Sequence, residues 1–370
     1  MNDRLRSCWE RLHGPSRVAG VDLARGLAIL GMLTAHLLTR PELAWTDAST
    51  WMAIVDGRSS ILFATLAGVS IGLVTGGRRP LPPEDMRIAH GRLLVRAAVL
   101  WAIGAALIAT FVPVFVILPA YAILFVLALP FTRLRARTLF ALAAAVALVM
   151  PWVQAWLDAL TFWSTREGDI VSRLLGWHYP FPVWIAFLLA GLGLARAGIG
   201  SLRVQGFALA AGAALAAIGY GLDAATGSGV AAESLSLQAA VWTARPHSSG
   251  VLEVIGSGGF ALAVLAACLL VCRTAVVWIV LPLRAMGSMP LTAYTAQIVA
   301  WAIWALIALG STRRLEPFRD LEPFVPLSVG ILLACTAWAL LIGRGPLEGG
   351  TDRLARLLVP ARTPVGAPPR

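Results

Sequence analysis

The sequence predicts an all-α integral membrane protein of about ten transmembrane helices, with both termini on the cytoplasmic side. Three observations carry this. Hydrophobic residues make up 58% of the 370 residues and charged residues 13%, with a mean hydropathy of +0.79. A soluble domain is usually about one-quarter charged, so these charges are too few to wet a soluble enzyme of this size. The same figures exclude disorder, collagen and a small disulfide scaffold. Apolar runs recur along the whole chain, and at roughly 20 residues per span they fit about ten spans. Arginine is unevenly shared among the connecting segments, which sets the orientation.

Residues 1–17 form a basic cytoplasmic N-terminus containing Arg4, Arg6, Arg11 and Arg17. It has the charge of a signal-peptide start. However, Asp22 and Arg25 interrupt the following apolar run, and no small-x-small cleavage site follows, so 18–38 is kept as the first span. Further spans are expected near 60–76, 95–111, 113–131, 138–156, 181–195, 204–222, 251–271, 289–309 and 325–342. The apolar stretch 274–283 is too short to cross. It is expected to lie along the cytoplasmic interface or to begin the next helix. The membrane domain thus covers 18–343. A cytoplasmic tail of 344–370 follows, Pro- and Arg-rich after Leu358 and expected to be disordered there.

All 30 basic residues are arginine, and the net charge is +11. With the N-terminus inside, 21 arginines fall in inner segments and 8 in outer loops, while Arg25 lies in the first span. This positive-inside bias explains the basic pI without a nucleic-acid partner. The outer loops hold more carboxylates than arginines, so that face is mildly acidic. Trp45, Trp51, Trp156, Trp163, Trp177 and Trp242 lie in or beside the long outer loops 39–59, 157–180 and 223–250. They read as an interfacial aromatic belt, with stacking on a sugar-like acceptor as the alternative. Cys8, Cys268, Cys272 and Cys335 show no metal spacing and read as packing residues, so neither a metal nor a disulfide is expected. No strong internal repeat is present, which weighs against an inverted-repeat transporter.

Polar groups within apolar spans are costly and mark where chemistry is to be sought. In the first span Asp22 and Arg25 are three residues apart and pair on one helix face. Arg25 and His36 are eleven apart, about 20° from three full turns, so they share a face about 16 Å apart along the axis. Acid, guanidinium and imidazole therefore form one stripe, which also reads as a structural ion pair with a polar outer end. Gly26 and Gly31 permit close approach of a helix or a ligand. His247, with Glu253 six residues on, is the second candidate base, against the alternative of an exposed loop histidine. His13, His90 and His178 lie in arginine-rich or aromatic flanks and read as non-catalytic. Thr292, Tyr294 and Gln297 line one side of the ninth span, satisfying each other or a substrate. Glu348 is expected to cap or anchor the inner end of the last helix.

The Arg-x10-His spacing, introduced by Asp22-Leu-Ala-Arg25-Gly26, resembles the first helix of acyltransferase family 3 and of the wider transmembrane acyltransferase superfamily. Asp56-Gly-Arg58 with the run to Gly68 is similar to the second span of the YeiB-like family of unknown function. It is similar also to its relatives, the heparan-alpha-glucosaminide N-acetyltransferases. Pro246-His247 to Glu253, Gly287-Ser-Met-Pro-Leu-Thr292-Ala-Tyr294 to Gln297, and Gly345-Pro-Leu-Glu348 resemble the YeiB-like C-terminal half. The segments cover nearly the whole chain, and their order is more specific than any one of them. The departure is at residue 36. Many YeiB-like and N-acetyltransferase relatives carry Asn there and a catalytic His elsewhere, whereas acyltransferase family 3 carries His.

The resemblance implies acyl transfer, acetyl foremost, from acyl-CoA (acetyl-CoA) across the bilayer to an extracytoplasmic hydroxyl or amine of a glycan, lipid or small metabolite. His36 is the expected general base, and Arg25 binds a donor phosphate or steadies the thioester. Arg78, Arg79 and Arg133 are expected to hold CoA phosphates, with plain topology as the competing account. The expected setting is a bacterial plasma membrane, with membrane lipids as neighbours and a homodimer as one assembly. The alternative is a multi-pass transporter or exporter of a small polar or anionic solute, its pathway lined by Asp22, Arg25, Glu253 and Gln297. A third is a non-catalytic relative that kept the fold.

Overall fold

The computed structural model describes residues 3–14, 17–44, 46–227 and 236–361; Trp45, Arg362 and Arg370 lie outside them. Among the described residues the regular structure is helical, with no strand. Helices suit so apolar a chain, because in lipid every backbone group must bond within its own segment. Eight helices are long and apolar enough to cross a membrane. Two shorter apolar ones, Leu118–Phe131 and Phe181–Ala197, complete the expected ten.

In chain order the helices are α1 (Asp3–His13), α2 (Ala19–Leu37), α3 (Arg58–Val74), α4 (Pro83–Ile108), α5 (Leu118–Ala128), α6 (Ala136–Asp158), α7 (Arg166–Leu175), α8 (Phe181–Ala197) and α9 (Leu202–Thr226). There follow α10 (Leu237–Val241), α11 (Val251–Val271), α12 (Val276–Ile279), α13 (Leu281–Gly287), α14 (Pro290–Leu309), α15 (Leu315–Arg319), α16 (Phe324–Leu341) and α17 (Pro346–Leu358). The first helix and the end of α16 meet on one face. A Cβ built on Gly343 would lie 2.8 Å from the Arg11 guanidinium. We call this the terminal face and its opposite the distal face.

Burial separates a central pair from its jacket. In α2, 72% of the apolar window is buried, and in the span ending with α3, 78% is; the values for α4, α6, α9 and α16 are 22%, 22%, 17% and 22%. The jacket helices turn their apolar sides outward to lipid. α8 is only 17 residues long, yet it is apolar all round and sheathed by α3, α5 and α6. A helix buried among neighbours need not match the lipid thickness. α3 and α8 cross backbone to backbone. A Cβ on Gly68 would sit 1.9 Å from the Leu188 carbonyl oxygen, and one on Gly191 1.9 Å from that of Thr65.

Helix ends differ from expectation where charge hides them. α4 begins at Pro83, with Glu84 and Asp85 in its first turn, and runs through Arg87, Arg92 and Arg96 before its apolar part. The stretch 274–283 breaks into α12 and the start of α13. α13 packs along the terminal half of α2, where a Cβ on Gly26 would meet the Leu283 oxygen at 2.1 Å. The close approach at Gly26 is therefore made by a helix. That at Gly31 is made by Ser59 of α3, whose hydroxyl would lie 2.1 Å from an added Cβ.

The tail holds a helix that apolar runs do not show. α17 is amphipathic and docks on α4 and α14. Its Glu348 caps the start of α14 rather than the end of the last span. One carboxylate oxygen accepts from Leu291 N (2.7 Å) and Thr292 N (3.1 Å), and the other accepts from the Thr292 hydroxyl (2.5 Å). Two free donors of a helix start are thereby satisfied, with negative charge at the positive end of the dipole. Thr292, Tyr294 and Gln297 do not act as one group. Tyr294 accepts from Ile117 N at 3.2 Å, and both amide atoms of Gln297 are buried with no hydrogen-bond partner among the described residues.

Candidate functional site

The stripe foreseen on α2 opens into two cavities, one on each face. At its terminal end Asp22, 2% exposed, is clamped between two guanidiniums: Arg17 Nε donates to it at 2.6 Å and Arg25 Nη1 at 3.1 Å. Arg25 Nη2 donates to the Ser70 hydroxyl of α3 at 2.6 Å. Asp22 is spent on orienting Arg25, and one positive charge of the trio is left over. Arg25 then lines a cavity of about 260 Å³ with Ser70, Arg96, Tyr121, Tyr294 and Arg344. Arg78, Arg79 and Arg133 are exposed and line none of it. The arginines that line it beside Arg25 are Arg96 and Arg344.

At the distal end His36 lines a larger cavity, of about 840 Å³, together with Arg58, His178, Tyr179, Tyr220 and His247. The end of α2 is fixed by arginines acting on its free carbonyls. Arg319 donates to the His36 carbonyl through Nε (3.2 Å) and Nη2 (3.0 Å), and Arg40 donates to those of Ala35 (3.2 Å) and Leu38 (3.1 Å) while pairing with Asp56. Cations at a helix C-terminus are favourable, and here they leave the His36 imidazole to the cavity.

Across the cavity His247 sits in a loop of unusual backbone. His247 (φ 64°) and Ser249 (φ 55°) are both left-handed without being glycine. Glu253 holds them there. It accepts from His247 N and Ser249 N at 2.6 Å each and from the Ser248 hydroxyl at 3.2 Å. The carboxylate near His247 therefore grips the backbone rather than the imidazole. Strained backbone held by its surroundings clusters at functional sites.

His178 is the residue that sequence reasoning passed over. Its ring lies 4.8 Å from that of His247 and stacks on Phe115 at 3.8 Å, while the Tyr179 hydroxyl donates to the Phe115 carbonyl at 3.1 Å. The available signal was Gly176-Trp-His-Tyr-Pro180. A left-handed Gly176 and a proline before α8 make a tight turn that throws His178 inward. Burial lowers His247 to about 4, and burial with the neighbouring His247 lowers His178 to about 4. Both are neutral at pH 7, as a proton acceptor must be. Among the described residues no group of three His, Cys, Asp or Glu is placed to hold a metal, and all four cysteines are free.

These depressed values give a pH test. The unfolded state takes up protons on both histidines below about 6.5, and the folded state does so only near 4. Their contribution is therefore fully present above pH 6.5 and lost as pH falls toward 4, about 3 kcal/mol for His247. Thermal unfolding in detergent should drop steadily over that window, and His247→Gln should flatten the drop. Parallel curves for the two proteins would contradict the burial of a neutral imidazole.

The two cavities nearly meet. Tyr121, which lines the terminal one, donates to the carbonyl of Ser60, which lines the distal one, at 3.0 Å. Phe63, stacked on Tyr121 at 5.5 Å, belongs to the terminal wall. Ser60 and Phe63 are three residues apart on α3, and Arg25 and Met32 seven apart on α2. The wall is thus one to two helical turns, roughly 5–10 Å.

No curated protein and no solved structure matches the chain. The family model described as heparan-alpha-glucosaminide N-acetyltransferase, catalytic, matches residues 17–221, more than half of the chain. A model for a protein of unknown function, DUF418, matches 203–356. Arg25, His36 and His178 fall in the first, and His247, Glu253 and Arg344 in the second, so both matched regions build the site. The chain belongs to the heparan-alpha-glucosaminide N-acetyltransferase catalytic family.

Proposed function

We propose that the chain moves an acyl group, acetyl foremost, from an acyl-CoA at the terminal face to a hydroxyl or amine acceptor in the distal cavity. The observation that carries this reading is the pair of cavities on one helix, with Arg25 in one, His36 in the other, and a thin wall between them. A thioester and its acceptor reach the same wall from opposite sides. The wall must part for the two to come within about 3 Å; the acceptor's oxygen or nitrogen then attacks the thioester carbonyl, and its proton passes to His36. The C–S bond breaks, and the sulfur leaves and is protonated as the thiol of CoA. The arginine bias supports a cytoplasmic terminal face, where acyl-CoA is made, and an acceptor on the opposite side of the membrane. The distal cavity has the volume of a site for a sugar or small metabolite. The family's name supports an acetyl group and an amino-sugar acceptor.

Arg25 tests the donor side. Purified wild-type protein should bind acetyl-CoA in calorimetry. Arg25→Ala should weaken binding tenfold or more, since a hydrogen bond to a charged group is worth about 1.5–3 kcal/mol. Arg25→Lys should weaken it too, because it keeps the charge but loses the planar fork. Both should stay monodisperse. Failure of both to fold would assign Arg25 to the ion pair with Asp22 alone. Wild-type protein that ignores acetyl-CoA but moves a small anion across vesicles would make it a transporter.

A further inference from the structure

The cavity at Arg25, about 260 Å³, is too small for a whole acyl-CoA. Resting on the donor reading above, the nucleotide end of that molecule must lie elsewhere. We propose that a second, charged cavity beside α17 holds its phosphates, the 3′-phosphate foremost, with Arg11, Arg344, Arg353 and Arg356 as the reading residues.

This cavity, about 530 Å³, is lined by those four arginines with Asp352 and the glycines at 345, 349 and 350. Asp352 accepts from Arg96 (3.0 Å), Arg344 (2.8 Å) and Arg356 (2.5 Å). Burial alone would raise its pKa, but the three guanidiniums outweigh burial and hold it below the ordinary carboxylate range. One full negative charge thus gathers three cations, and Arg11 and Arg353 stand beside them with no acidic partner among the described residues. The surplus is positive and is concentrated in a concave site. Arginines placed only for topology need neither a shared carboxylate nor a cavity.

Two residues join this cavity to the one at Arg25. Arg344 lines both, and Arg96 lines the inner one while bonding to Asp352 in the outer. A polar seam therefore runs from Ser70 and Arg25 to the surface cluster. Its order matches the donor's chemistry, with a thioester on an uncharged arm at one end and phosphates at the other. The floor admits close approach, for a Cβ on Gly349 or Gly350 would meet nothing within 4 Å. Planar guanidiniums bind phosphate in bidentate fashion. Arg344, Arg353 and Arg356 lie in the DUF418 match, and Arg11 lies before both matched regions, so the subsite is built outside the N-acetyltransferase match.

The test compares CoA with dephospho-CoA, which lacks the 3′-phosphate, by calorimetry on the full chain in detergent. Wild-type protein should prefer CoA about tenfold, the value of one charge-assisted contact. Arg11→Gln with Arg353→Gln touches two exposed side chains without ion-pair partners, so it should leave the unfolding temperature unchanged. The double variant should bind CoA tenfold or more weakly, lose the preference, and show a shallower salt dependence. Equal binding of CoA and dephospho-CoA by wild type, or a preference kept in the double variant, overturns the proposal while the Arg25 reading stands. Unchanged CoA binding with lost affinity for phosphatidylglycerol vesicles would make the cluster a lipid contact and also overturn it. Wild-type protein that binds neither nucleotide overturns the donor reading itself.

Discussion

His36→Ala lowers acyl transfer by on the order of a hundredfold or more, the usual size of a general-base contribution. The fold should not suffer. Arg319 and Arg40 engage the carbonyls at the end of α2, and among the described residues no hydrogen bond of the imidazole holds α2 in place. The side chain faces the distal cavity, where the proposed reaction puts the acceptor. His36→Asn is the sharper variant, since it keeps a polar side chain there but offers no imidazole to take the proton. A steady-state assay with acetyl-CoA and an amine or hydroxyl acceptor reads both. Full activity in His36→Asn with none in His247→Ala would move the base to His247. If neither change affects turnover in folded protein, the enzyme reading fails.

Glu253→Ala destabilises the protein by about 2–6 kcal/mol. It leaves the amides of His247 and Ser249 buried without an acceptor, at about 1–3 kcal/mol each. Both residues also lose what holds them in the left-handed region. His247 should then leave the cavity, and activity should fall with stability. Glu253→Gln keeps one acceptor and should lie between. Ser249→Gly fits φ 55° without a Cβ penalty and should be neutral or stabilising. Thermal unfolding in detergent ranks the three, and wild-type stability in Glu253→Ala would refute the role.

Much of the fold was legible because a membrane imposes one simple code. Runs of about 20 apolar residues become helices, and all ten expected spans correspond to one. The code is silent where helices are charged. The first turns of α4 and the whole of α17 are polar enough to read as loop, yet they position Arg96 and Arg344. Asp22, Arg25 and His36 were legible because one helix carries them, and its periodicity fixes their common face. His178 was not, because its neighbours Phe115 and His247 come from other loops. The arginine bias showed which face is basic but not which guanidinium turns inward. Arg78 and Arg79 stay in solvent, while Arg284 of α13 is 1% exposed and donates to the Val277 and Leu12 carbonyls. Sequence distance put Glu253 near His247 and could not say that it would grip the backbone.

The thin wall between Ser60 and Phe63 has an electrical consequence. Where water fills both cavities it carries the bulk potentials inward, and the transmembrane voltage then falls mainly across those few ångströms. Each elementary charge crossing it exchanges about 2.3 kcal/mol per 100 mV with the field. The acyl group leaves its bonding electron pair on sulfur, so its transfer carries one positive charge across the wall. The protons on either side close the balance. If His36 hands its proton to the distal side while the departing thiolate takes one from the terminal side, every turnover exports one positive charge. An inside-negative cell would then oppose the reaction, and a collapsed potential would speed it.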